Sequence, residues 1–162
     1  MRKLGYSFII CLLTTQFSSA QNFAGLDEKY IESSEIKLTW MPTYKQALNK
    51  SRKEKKPVLI YFTGSDWCGP CKILDKTLFH TEKFKAIADK DLILLEVDIP
   101  RRIDLLSAKQ MRHNKNIQEI YNVRSFPTVM IVNYKGKKIA EKKGYILTEY
   151  YYPFLRLHIE KY

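Results

Sequence analysis

Two cysteines three positions apart, Cys68 and Cys71, are the residues of this chain best suited to covalent chemistry. A thiolate attacks a disulfide sulfur, and a second thiol within reach lets the mixed disulfide be resolved inside the same molecule. The C-x-x-C spacing also serves haem and zinc. Covalent haem attachment requires His directly after the second cysteine, where this chain has Lys72. Zinc needs four ligands, and His80, His113 and His158 stand at no useful spacing from the pair, so no metal and no other cofactor is expected. A purely structural staple explains little, because a bridge closing so short a loop adds little stability. Pro70 suits a first helical turn, having its φ preset and no N–H to leave unpaired. Cys68 then stands at a helix N-terminus, where free N–H groups and the helix dipole favour an anion. The expected roles are Cys68 as nucleophile and Cys71 as resolving thiol, ending as a Cys68–Cys71 disulfide.

The surrounding elements follow from periodicity. Val58 to Phe62 is a short continuous apolar run, as a strand buried on both faces requires. The C-G-P-C segment opens a helix through Ile73, Leu74 and Leu78, which breaks near His80-Thr81 and runs on to Ala88. Leu92 to Val97 and Thr128 to Val132 read as two more strands, and Tyr134 to Lys137 as a hairpin turn into Lys138 to Lys142. Ile36 to Trp40 alternates as a half-buried strand does, and Thr43 is placed to cap a helix ending at Lys55-Lys56-Pro57. Leu105 to Tyr121 carries an imperfect helical stripe, and the tail from Thr148 is helical with its regular part beginning near Tyr152, because Pro153 is tolerated only in a first turn. The order β-α-β-α-β-α-β-β-α predicts an α/β fold, a mixed sheet with helices on both faces.

The 162 residues suffice for one domain. Met1-Arg2-Lys3, the apolar run Leu4 to Leu13 and Ser18-Ser19-Ala20 have the three-part layout of a secretory signal peptide cut near Ala20. The apolar run is too short to span a bilayer, so no stable membrane anchor is expected. Cys11 lies within it behind Phe8-Ile9-Ile10, without the small residue a lipoprotein signal needs. The expected organisation is a signal peptide over 1–20, a flexible lead-in over 21–35 and one domain over 36–162, exported to the periplasm or secreted. Removing Arg2 and Lys3 leaves 26 basic against 17 acidic residues, taking the net charge from +11 to +9. The positive charge is dispersed, which suits a solvated surface, and no nucleic-acid-binding motif is present.

The run Trp67-Cys68-Gly69-Pro70-Cys71-Lys72, after a buried strand and opening a helix, resembles the thioredoxin active site. Val123 to Thr128 (V-R-S-F-P-T) is similar to the family's proline loop, and the closing hairpin with Gly136 and Gly144 extends the likeness over about residues 36 to 160. The resemblance is to exported bacterial thioredoxin-like proteins and implies the thioredoxin fold with thiol–disulfide oxidoreductase activity. It further implies a cis Phe126–Pro127 peptide facing the cysteines, with the Phe126 backbone pairing to extended substrate. Trp67, Gly69, Pro70, Phe126 and Pro127 are the expected substrate-contacting residues.

One departure matters. Thioredoxins carry a buried Asp on the strand before the active site, and Tyr61 takes that place here. Tyrosine is a poor base near pH 7. Asp75, four residues after Cys71, is the candidate proton acceptor instead, and the basic stretch Pro100 to Asn116 is longer than the family needs. The Gly-Pro dipeptide is the one reducing thioredoxins use, so a protein-disulfide reductase is expected, acting on disulfide or thiol proteins as a monomer. Without soluble NADPH outside the cytoplasm, its donor would be a membrane thiol relay. The alternatives are an oxidase or isomerase using the same site, or a peptide-binding module without redox turnover.

Overall fold

The computed structural model describes residues 36–162; the expected signal peptide and lead-in lie outside the described residues. The first helix, α1 (Tyr44–Glu54), is capped by Thr43, whose hydroxyl accepts from the Gln46 N–H at 3.3 Å. It stops at Lys55, which takes a left-handed φ of 55° before Pro57. Strand β1 (Val58–Thr63) follows, buried along its whole length. Helix α2 (Gly69–Leu74) runs into a π-helical turn (Asp75–Phe79) that ends at His80. Thr81 then caps α3 (Glu82–Asp91) with a bond from the Phe84 N–H at 3.2 Å. Strand β2 (Ile93–Asp98), helix α4 (Ala108–Ile120), strands β3 (Thr128–Val132) and β4 (Lys138–Lys143), a 3₁₀ turn (Thr148–Tyr150) and helix α5 (Tyr151–Glu160) complete the order.

The sheet order is β2-β1-β3-β4. β1 pairs parallel with β2 and antiparallel with β3, so the strand that feeds the cysteines is held on both sides. Its side chains alternate between two cores, as a period of two dictates. Leu59 and Tyr61 join Leu74, Leu78, Phe79 and Phe84 on the face covered by α2, α3 and α5. Val58, Ile60 and Phe62 face α1 and α4 with Ala47, Ile117 and Val123. Each buried aliphatic or aromatic side chain contributes roughly 1.5–3 kcal/mol, so β1 and β3, buried at every position, anchor the sheet. The edges are β2, bridged by Trp40 at Leu94, and β4, which carries Lys138, Lys142 and Lys143 with Ile139 and Ala140 as its apolar residues.

Two expectations are corrected. Ile36 to Trp40 does not form a strand: only Trp40 bridges to Leu94, followed by the Met41 N–H bonding the Leu94 carbonyl at 2.8 Å. Pro42 has no N–H to carry the ladder further, and Thr43 already starts a helix. The second correction is that α4 begins at Ala108, not Leu105. Ser107 caps it by accepting from the Gln110 N–H at 3.1 Å, and Leu105 is left exposed in an irregular segment.

Candidate active site

β1 leads through Gly64 into a turn that ends at Cys68, the N-cap of α2. The Gly64 carbonyl accepts from the Cys68 N–H at 2.8 Å and the Trp67 N–H at 3.2 Å. Cys68 and Cys71 form a disulfide with S–S 2.01 Å and Cα–Cα 5.2 Å. The Cys71 N–H donates to Cys68 Sγ at 3.2 Å, so the first sulfur occupies the place of a capping oxygen. Cys68 is 3% exposed and Cys71 1%, while Gly69 and Pro70 stand exposed above them. The Phe126–Pro127 peptide is cis, as the resemblance implies. Trp67 and Phe126 meet edge to face at 5.4 Å, and both pack against the apolar cluster that contains the two cysteines.

The turn is clamped from β2 and the segment after it. The Asp98 carboxylate accepts from the Ser65 N–H (2.8 Å) and hydroxyl (2.6 Å), and the Trp67 indole N–H donates to the Ile99 carbonyl at 2.8 Å. The Asp66 carboxylate accepts from the backbone N–H groups of Arg101 and Arg102 at 2.9–3.1 Å. Desolvation pulls the Asp66 carboxyl upward, but those amides, Arg102 before Arg101, outweigh it and hold the group below its ordinary value. A Cβ on Gly64 would lie 2.3 Å from the indole, so only glycine lets Trp67 settle across the turn. None of these clamping bonds was predicted from sequence, because each joins residues more than thirty positions apart.

Tyr61, Asp75 and Glu96 interact electrostatically near the site. The Tyr61 hydroxyl donates to the Cys71 carbonyl at 3.2 Å. Burial pushes Tyr61 well above its ordinary value, so it is a donor and not a base near neutrality. Asp75 is half-buried; burial raises its carboxyl and the His80 charge opposes the shift. Glu96, which sequence reasoning missed, pairs across the sheet with Tyr61. The residue is exposed, yet partial desolvation, then the Asp75 and Asp98 charges, push it up to about 7, with His80 opposing. A single charge inside the run L-I-L-L-E-V was the available signal. The three histidines make other contacts: His80 bonds the Asp75 carbonyl, His113 accepts from the Tyr44 N–H, and His158 meets Phe154 edge to face. Among the described residues no three His, Cys, Asp or Glu side chains gather to hold a metal.

A buried strand, a C-x-x-C helix cap and a cis-proline loop define a thiol–disulfide oxidoreductase of thioredoxin fold. The chain belongs to the thioredoxin-like family, whose model matches residues 39–134. Among its relatives is the disulfide bond reductase DsbH of Chlamydia pneumoniae, 30% identical over 139 residues that cover 84% of this chain and 82% of that one. The thioredoxin-related protein DsbJ of the same organism is 24% identical over 103 residues, 63% of this chain but only 29% of DsbJ. A solved DsbH oxidoreductase structure superposes with a TM-score of 0.69 at 26% identity, covering 80% of this chain and 89% of that one.

Proposed function

We propose that this chain is a protein-disulfide reductase working outside the cytoplasm, with Cys68 as nucleophile and Cys71 as resolving thiol. The Cys68 thiolate attacks one sulfur of a substrate disulfide; that S–S bond breaks and the other substrate sulfur leaves as a thiolate. Cys71 gives up its proton and attacks Cys68 Sγ, releasing the second substrate thiolate and closing the Cys68–Cys71 disulfide. Two electrons pass from the protein dithiol to the substrate. The observation that carries this reading is the Cys71 N–H aimed at Cys68 Sγ at 3.2 Å, a contact that favours negative charge on the first sulfur.

Trp67, Gly69, Pro70, Phe126 and Pro127 form the rim on which substrate rests, with the Phe126 backbone pairing an extended segment. Asp75 receives the proton of Cys71, in keeping with a half-buried carboxyl raised above its ordinary value. The reductase direction rests on the Gly69-Pro70 dipeptide and on the likeness to the Chlamydia disulfide bond reductase. Export rests on the leader over 1–20, and a membrane thiol relay is the donor that location requires.

The test is capture. Cys71→Ser should accumulate mixed disulfides on Cys68 in cells, whereas Cys68→Ser should capture nothing and lose all turnover. A reduction potential near −270 mV, the reducing-thioredoxin range, is expected; one near −120 mV, the range of a dedicated oxidase, would reject the reductase direction.

A further inference from the structure

The segment between β2 and α4 is longer than the strand connection requires, and the clamp described above delivers it to the rim of the redox site. Its first arginine, Arg101, is exposed and holds its guanidinium 4.8 Å from the centre of the Trp67 ring. Trp67 is in turn the ring that meets Phe126. Nearby carboxylates are engaged elsewhere. Asp66 accepts from backbone amides, Asp98 accepts from Ser65, and Asp104 pairs with Arg102. Among the described residues no carboxylate lies within ion-pair distance of Arg101. Lys72 donates to the Asp66 carbonyl, and Arg124, in the proline loop, bonds the Asn122 side-chain oxygen, so both cations keep their charge uncompensated. The Asp66 carboxylate also feels the Arg101 charge, but it is held by backbone amides and Asp104 by Arg102, so among the described residues the guanidinium itself has no paired carboxylate. A planar guanidinium held on an aromatic face is preorganised to receive a carboxylate in a forked contact.

We infer that Arg101 makes this site selective for disulfides flanked by an acidic side chain: the substrate is an extended polypeptide whose Asp or Glu, next to the attacked cysteine, docks on the guanidinium above Trp67. This rests on the reductase reading above and names its substrate class. Ile103, 92% exposed on the same segment, offers the docked peptide an apolar contact beyond the charge.

Two synthetic peptides test it, each with one cysteine as a neutral 2-thiopyridyl mixed disulfide and differing only in Glu or Gln beside that cysteine. The reduced full chain attacks the cysteine sulfur, releasing the thiopyridone, and the second-order rate is read from that release. The Glu peptide should react about threefold faster at low salt, the range of an exposed ion pair. Added salt should bring the two rates together. Arg101→Gln should bring their ratio to one, and Arg101→Lys should keep part of the preference. Equal rates with the unaltered chain at low salt, or a ratio that survives in Arg101→Gln, would overturn the inference while leaving the reductase intact. No release from either peptide would remove the reductase reading itself, and the selectivity with it.

Discussion

At the redox end of the sheet the Trp67 indole lies across Gly64, and at the opposite end the Tyr44 hydroxyl meets Gly136. Both glycines allow an aromatic side chain to approach backbone closely, and in both places a Cβ would come within 2.3 Å of it. The two ends differ in where their polar groups go. At the far end the Tyr44 and Tyr121 hydroxyls bond at 2.6 Å and Tyr121 donates to the Gly136 carbonyl at 2.9 Å, a closed chain tying α1, α4 and the hairpin. Burial first, then the bond to Tyr44, push Tyr121 far above its ordinary value, so the Tyr121 hydroxyl stays neutral. At the redox end the bonds run from one turn to β2 and the segment after it, and Trp67, flanked by Phe126 and Arg101, stays partly exposed. One end is built to hold and the other to be touched, although the same device opens both.

Substitution should separate the two. Gly136→Ala meets both a φ of 77° and the Tyr44 hydroxyl, so it should cost about 3 kcal/mol in chemical denaturation. Its disulfide-reduction rate per folded molecule should be unchanged. Gly64→Ala should do the reverse: displacement of the indole should slow substrate reduction about thirtyfold, since misplacing a contact surface by about an ångström is costly in rate. Its loss of stability should be smaller than that of Gly136→Ala. If the two variants show the same balance of lost stability and lost rate, the contrast is wrong.

Asp75→Asn sharpens the comparison within the redox end. It should slow resolution of the Cys68 mixed disulfide about tenfold, read by single-turnover quench, and leave the first attack untouched. An unaltered resolution rate would remove Asp75 from the mechanism.

The smallest effect concerns Glu96. Its carboxyl sits at about 7 in the fold against an ordinary 4.5, so the folded chain keeps a proton that the unfolded chain releases between those values. The associated stability is fully present below pH 4.5 and is lost as pH rises through 7. Glu96 is exposed, so solvent screening leaves only a small part of that contribution; Glu96→Gln should abolish it, so that from about pH 4.5 to 7.5 the unaltered chain falls about 2 °C further in Tm than the variant.

Much of this was legible because it is local. The run Val58 to Phe62, the cap at Thr43, the break at His80 and the Pro153 limit on α5 each depend on a few adjacent residues, and each stands where periodicity and capping put it. Ile36 to Trp40 failed for the complementary reason: alternation says that a segment can pair, and here Pro42 and the early helix leave a single bridge. Leu105 was drawn into a helix by its apolar side chain, while Ser107 decides where that helix starts. At the site, Cys68, Cys71 and Pro127 were readable from their motifs. The clamp of Asp98, Ile99, Arg101 and Arg102 was not, because hydrogen bonds across more than thirty residues leave no periodic trace.

The lysine-laden edge strand bears on how such a molecule lives among extended chains. If extended substrate pairs with the Phe126 backbone as proposed, the same mode of pairing is open to a second copy of the chain. Along β4, a second molecule aligned edge to edge would set Lys138, Lys142 and Lys143 against like charges, with Glu141 already engaged by Lys138 and Lys143. Self-pairing is thus discouraged along β4, which leaves the end bearing the sulfurs as the place where the proposed substrates would meet the sheet.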